Sequence, residues 1–196
     1  MKLTTLTGSE TAPIIDDLDQ LYRAVFSAPP WNEEPAELDT FRGRLEENLA
    51  RPGFRLVTGV VDGELRGFGA GWATEPPFRR DRAYGTVYDE LGADQVERHL
   101  LGAFEVDELA VHPASQGLGL GRAVLSTLCA GEPSWLLTAR RALDTVGFYR
   151  RIGWQELPAQ VPNPRLVVFI SPAPSTAAGA ASSTEAGAAS SSEPQA

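Results

Sequence analysis

The 196-residue sequence predicts an α/β layer fold, a sheet flanked by helices, and three observations predict it. Apolar stretches of strand and helix period follow one another as β-α-α-β-β, then a long polar segment, then β-α-β-α-β-β. Two of the strand patterns meet at Asp62-Gly63, a dipeptide suited to a two-residue hairpin turn. The stretch Phe104 to Cys129 joins an apolar strand to an amphipathic helix through a turn rich in glycine.

Each element follows from its residues. Lys2 to Thr7 alternates as a short strand, and Gly8-Ser9 turns the chain. Pro13 suits the first position of a helix in which Ile14, Leu18, Leu21, Tyr22 and Val25 form one apolar stripe. The proline-rich segment Ser27 to Pro35 stops that helix. Trp31, Glu33 and Glu34 lie in this loop, where an aromatic beside carboxylates suits the wall of a site for a cationic amine, and equally a cap over the core. Pro35 opens a second helix that buries Leu38, Phe41, Leu45 and Leu49 and closes before Pro52-Gly53. Phe54 to Val61 and Glu64 to Ala73 are the hairpin strands. Gly67, Gly69 and Gly71 share one face of the second, so a helix or a ligand packs close there.

Thr74 to Gly102 is long and polar, with a possible helix across Thr86 to Leu91 or Asp94 to Leu101; segments of this kind are often lids or binding loops. In the strand that follows, regular alternation would set Glu105, Asp107, Leu109 and Val111 on one face and Val106, Glu108 and Ala110 on the other. A bulge would reverse the facing upstream of it. Next come Gly117, Gly119 and Gly121, which let the main chain approach a ligand, and then a helix whose first-turn N–H groups lack intrahelical acceptors. That is the layout of an anion cradle. The run Gly117-Leu118-Gly119-Leu120-Gly121-Arg122 breaks the register of a dinucleotide fingerprint, and the next strand, Ser134 to Thr138, carries no acidic residue at its end. Asp144 is placed to cap a helix running to Ile152, Gly153 ends it, and Arg165 to Ile170 closes the domain as a strand beside the one after Trp154.

Composition bounds the function. Residues 171–196 are almost wholly Ala, Ser, Gly, Pro and Glu, which predicts a disordered tail after a single domain of residues 1–170. Of the formal charge of −9, the tail contributes −2 through Glu185 and Glu193, leaving −7 on the domain. An acidic domain disfavours nonspecific nucleic-acid binding and suits a cationic substrate. The single cysteine, Cys129, excludes an intrachain disulfide and a thiolate-based zinc site, and no metal is expected. No apolar run is long enough to span a membrane, and MKLTTLTGSE has no signal-peptide apolar region, so the expected location is the cytoplasm.

Gln116-x-x-Gly119-x-Gly121, within VHPASQGLGLGRAVL, resembles the acetyl-CoA pyrophosphate loop of the GNAT superfamily of N-acetyltransferases, and DTVGFYRRIGWQE resembles that family's second signature through Phe148, Tyr149, Gly153 and Trp154. Ala142 and Thr145 depart from it, standing where the family usually has Asn and Ala. The resemblance implies a single mixed, mostly antiparallel sheet flanked by helices, acetyl-CoA as co-substrate, and direct transfer to a primary amine on a small molecule or protein. By the same resemblance, the base that deprotonates the amine falls to Glu105 or Asp107, with Glu108 as rival, and the acid that protonates the departing thiolate to Tyr149. Leu109, Ala110 and Val111 would hold the acetyl group and pantetheine arm. Gln116, Gly117, Leu118, Gly119, Leu120, Gly121 and Arg122 would hold the pyrophosphate, Asp144 or Arg141 would replace the missing amide, and Trp31 and Glu33 would face the acceptor. The inserted segment, residues 75–101, would cover the acceptor side as a lid. No nucleic acid or membrane partner is expected, and the protein is expected to be a monomer or homodimer. A non-catalytic acyl-CoA sensor and a nucleotide-binding protein are the alternatives from other classes.

Overall fold

The computed structural model describes residues 1–172 except 82, 162 and 163. The expected disordered tail falls, from residue 173 on, outside the described residues. Seven strands form one sheet in the order β1-β2-β3-β4-β5-β7-β6, where β1 is Lys2–Leu6, β2 Arg55–Val61, β3 Glu64–Ala73, β4 Phe104–Val111, β5 Ser134–Ala139, β6 Gln155–Glu156 and β7 Leu166–Ile170. All neighbouring strands are antiparallel except β4 and β5, so the sheet is mixed and mostly antiparallel. Asp62 and Gly63 both have positive φ, as the two-residue β2–β3 turn demands.

Helices cover both faces of the sheet. In place of a simple turn at Gly8-Ser9, the chain makes a short helix, α1 (Gly8–Thr11), because Thr7 and Glu10 form a reciprocal capping box. A 3₁₀ turn carrying Pro13 then leads into α2 (Ile15–Phe26), which buries Leu18, Leu21, Tyr22 and Val25. The second helix is split into α3 (Pro35–Leu38) and α4 (Phe41–Asn48). With α2 they bury an aromatic core against Phe68, Ala70 and Trp72 of β3.

On the opposite face lies α7 (Leu120–Cys129), and it settles what the strand glycines accommodate. A Cβ on Gly59 would fall 2.5 Å from the Leu120 side chain, one on Gly67 3.1 Å from it, and one on Gly69 3.1 Å from Val124 and Leu128. The small-residue face of the hairpin is therefore the seat of the α7 apolar stripe, and the occupant is a helix. The inserted segment forms α5 (Tyr84–Leu91) and α6 (Ala93–His99). These carry a third apolar cluster, in which Val87, Leu91 and Val96 pack with Trp135 of β5 and Val168 of β7. This packing seats the segment on β5 and β7. The final helix, α8 (Leu143–Arg151), has Ala142 at its N-cap, so Asp144 sits inside the first turn and does not cap it.

One irregularity decides how the acidic strand faces. Across β3 and β4, Ala70 pairs with Glu108 but Gly71 pairs with Val106, leaving Asp107 as the extra residue of a β-bulge. Of the two arrangements open from sequence, regular alternation and a bulge, the strand takes the bulge. Glu105, opposite Trp72, shares the α2 face with Glu108 and Ala110, while Val106, Leu109 and Val111 face α7. Gly71 permits the bulge, since a Cβ there would lie 2.1 Å from the Glu105 carbonyl oxygen.

Candidate active site

A cavity of about 930 Å³ opens where the two parallel strands separate. β4 and β5 pair only from Phe104–Ser134 to Val106–Leu136. Beyond that point, residues 107–111 of β4 and 137–139 of β5 diverge, and among the described residues the β4 edge facing β5 has no strand partner. Unpaired strand main chain of this kind takes up an extended ligand as a further strand would. Leu109 and Val111 line the cavity on one side, Leu137, Thr138 and Ala139 on the other.

At one end of the cavity lies the glycine turn. Gly117 and Gly119 have φ of +76° and +81°, and nothing lies within 4 Å of where their Cβ atoms would be. Gly119 is the N-cap of α7 with no side-chain cap, so the first-turn N–H groups of Leu120, Gly121 and Arg122 have no acceptor from the helix itself. Ten residues of aligned peptide dipoles stand behind them. Gln116, Gly117, Gly119, Gly121 and Arg122 line the cavity. Three side chains of the expected set point elsewhere: Ala110 and Leu120 are fully buried in the two cores, and Leu118 is 70% exposed. Only main-chain groups of those three can serve a ligand. His112 shapes the turn, its Nδ1 accepting from the Ala114 N–H at 3.2 Å.

Carboxylates gather where the strands part. Glu105, Asp107 and Glu108 all line the cavity, two of them through the bulge that aligns Glu105 with Glu108. Burial, with the charge of Asp107, pushes the Glu105 carboxyl up to about 7, against the opposing pull of the Tyr84 hydroxyl and the cations Arg79 and Arg51. Glu108 is also raised by burial and by Asp107, and Arg44 opposes the rise through an ion pair at 3.0 Å. Arg44 donates as well to the Tyr22 hydroxyl at 3.2 Å, and Tyr22 donates to Glu33 at 2.9 Å. This chain of contacts ties the loop carrying Trp31 and Glu33 to β4. Trp31 packs on Phe26 at 5.4 Å between ring centres, and its carbonyl accepts from Arg141 at 3.0 Å. Arg141 thus bridges to the loop across from it, while Asp144 and Thr145 line the cavity from the first turn of α8.

Tyr149 is buried on α8, packed against Trp154 and Phe169, and lines the same cavity. Burial, with smaller pushes from Cys129 and Glu108, raises its ionisation well above that of an ordinary phenol, so the hydroxyl keeps its proton. Sequence reasoning missed Arg44, Arg79 and Tyr84. Arg44 follows a glycine on a helix marked only by its apolar residues, and its carboxylate partner is 64 residues away. Tyr84 lies in a segment without clear periodicity, 21 residues from its partner Glu105.

Comparison with known proteins matches residues 60–156 to the family model of an acetyltransferase (GNAT) domain. Among solved structures, an acetyltransferase from Thermus thermophilus superposes with a TM-score of 0.60 at 15% identity, over 88% of this chain and 97% of that one. A putative acetyltransferase of the GNAT family from Desulfovibrio desulfuricans gives 0.57 at 20% identity, over 87% and 98%. The PaiA N-acetyltransferase of Thermoplasma acidophilum, solved in complex with coenzyme A, gives 0.56 at 12% identity, over 86% and 98%. No curated protein matches the chain. Among the described residues, no helix is long and apolar enough to cross a membrane.

Proposed function

The chain belongs to the GNAT acetyltransferase superfamily, and from that premise we propose that it transfers the acetyl group of acetyl-CoA to a primary amine by direct attack in a ternary complex. One observation carries the reading: a buried carboxylate, Glu105, stands at the fork of β4 and β5, in the same cavity as the glycine cradle and the Tyr149 hydroxyl. The residues present suit coenzyme A. Open space over Gly117 and Gly119 and the uncapped start of α7 suit a diphosphate, Arg122 adds positive charge, and the unpaired β4 edge suits the amides of a pantetheine arm.

The chemistry follows from proton accounting. An alkylammonium with a pKa near 10 must lose a proton before its nitrogen has a lone pair, and Glu105, held to about 7, is an acceptor suited to neutral pH. The nitrogen then attacks the thioester carbonyl, the C–S bond breaks, and Tyr149 donates its proton to the departing sulfur. The second proton leaving nitrogen restores the tyrosine, and Glu105 returns the first to solvent, so each turnover releases one proton. Asp107 at the bulge and Glu108, paired to Arg44, line the same cavity with carboxyl oxygens that can accept hydrogen bonds from an amine acceptor. Trp31 and Glu33 form the acceptor-side wall. Holding amine and thioester together contributes on the order of 7 kcal/mol, and proton transfer about 3 to 5 more. The acceptor is a small-molecule or protein amine, and the protein works without nucleic acid or membrane.

A panel of primary amines incubated with acetyl-CoA, read by mass spectrometry for acetylated product, tests this. Product from at least one amine is expected. Binding of acetyl-CoA without transfer to any amine would replace the enzyme with a sensor.

A further inference from the structure

Glu105 is one of the most enclosed ionisable side chains at the fork, 3% exposed, and a carboxylate in that position needs something to fix which oxygen meets the amine. The inserted segment supplies it. Tyr84, the first residue of α5, donates its hydroxyl to Oε1 of Glu105. Its ring stands edge-on to Trp135 at 6.1 Å and to Phe78 at 5.9 Å, so the phenol cannot swing away without breaking the third apolar cluster. Arg79 lies over the other face, its guanidinium carbon 3.6 Å from the Tyr84 ring centre and its Nη2 3.8 Å from the same Oε1.

Arg79 is the unusual part. Among the described residues its buried Nε and Nη2 have no hydrogen-bond partner, but each faces a carboxylate just beyond bonding distance, Asp81 at 3.7 Å and Glu105 at 3.8 Å. The Tyr84 ring and the carboxylates of Glu105 and Asp81 together hold the cation there.

We propose that Tyr84 is a positioning residue for the transfer reaction: its hydroxyl, clamped by Arg79 and Trp135, holds Oε1 of Glu105 so that Oε2 takes the proton from the acceptor amine. The inserted segment is then a part of the catalytic apparatus and its helices are the buttress that aims it. This rests on the reading of Glu105 as base. The groups acting on Glu105 are Asp107 on its own strand, Tyr84 and Arg79 from the insertion, and Arg51 after α4. Of these, Tyr84 can be altered by a single atom.

The test compares Tyr84→Phe, Glu105→Gln and the double variant by kcat/KM against pH, with acetyl-CoA affinity and circular dichroism alongside. Phe keeps the ring contacts with Trp135, Phe78 and Arg79, so the fold is expected to survive. The lost hydrogen bond stabilises the carboxylate, so Tyr84→Phe is expected to move the acidic limb to higher pH by about one unit and to lower kcat on the order of tenfold, with acetyl-CoA affinity unchanged. In the Glu105→Gln background, Tyr84→Phe is expected to have no further effect on kcat. An unmoved limb in Tyr84→Phe, where Glu105→Gln abolishes the limb, overturns the positioning role and leaves the base in place. A limb that survives Glu105→Gln overturns the base itself, and the positioning role with it.

Discussion

Glu105→Gln removes a charge that the fold holds against its preference, and its consequences can be worked out for stability and activity together. In the native protein this carboxyl titrates near 7, against 4.5 for an unperturbed group, chiefly because it is buried and secondly because Asp107 lies beside it. Below about pH 4.5 it is protonated in both folded and unfolded states and contributes nothing to the pH dependence. Between there and about 7 the unfolded chain has lost the proton while the native protein keeps it, so stability falls as pH rises. Above 7 the full penalty is reached, about 3 kcal/mol as an upper figure. Gln has the same shape and never ionises. Urea denaturation of both proteins from about pH 4.5 to about pH 8.5 is therefore expected to give curves that diverge with rising pH, with the variant gaining up to about 3 kcal/mol relative to the native sequence. Over the same range, turnover of the native enzyme is expected to rise through a limb near 7 and the variant to lose about 10²- to 10⁴-fold in kcat/KM. Parallel stability curves would refute the burial argument, and a variant with an unchanged limb would refute the base.

Three further outcomes follow from the same geometry. Tyr149→Phe is expected to lower kcat by about 10²-fold while acetyl-CoA affinity by calorimetry stays the same, because the hydroxyl acts only on the departing sulfur. Arg44→Met leaves Glu108 without its 3.0 Å partner and is expected to cost about 2 kcal/mol at pH 8 and less at pH 5, where the carboxyl is protonated; equal costs at both would deny that the pair is ionic. Gly71→Ala drives a Cβ against the Glu105 carbonyl oxygen and the Phe104 ring, and is expected to lower stability by about 2 to 3 kcal/mol in urea and to disturb the acidic strand, whereas Gly43→Ala, with open space around it, is expected to be near neutral.

The fold was legible because its local signals agree. Asp62-Gly63 forced the hairpin, the α2 stripe buried Leu18, Leu21, Tyr22 and Val25, and the glycine turn before Leu120 put an uncapped helix start where the pattern required one. What was left open or escaped was whatever depends on residues far apart in the chain. The bulge at Asp107 is written in Gly71, on the neighbouring strand, and its effect is to bring Glu105 to the face of Glu108 and away from Leu109. In residues 75–101, Val87, Leu91 and Val96 dock on Trp135 and Val168, a contact that no local periodicity announces. Arg44 and Tyr84 reach their carboxylates across 64 and 21 residues, and an isolated Arg or Tyr carries no sign of its partner. The strand carboxylates themselves, the glycine cradle and Tyr149 were recognisable from resemblance, and they line one cavity.

A crystal structure of the protein with coenzyme A bound tests the central claim most directly. The account predicts the diphosphate on the main-chain N–H groups of residues 117–122, the pantetheine amides along the β4 edge at Leu109 and Val111, and the sulfur within hydrogen-bond reach of the Tyr149 hydroxyl on the Glu105 side of the fork. Coenzyme A bound elsewhere, or a fork that stays empty at saturating coenzyme A, would contradict it.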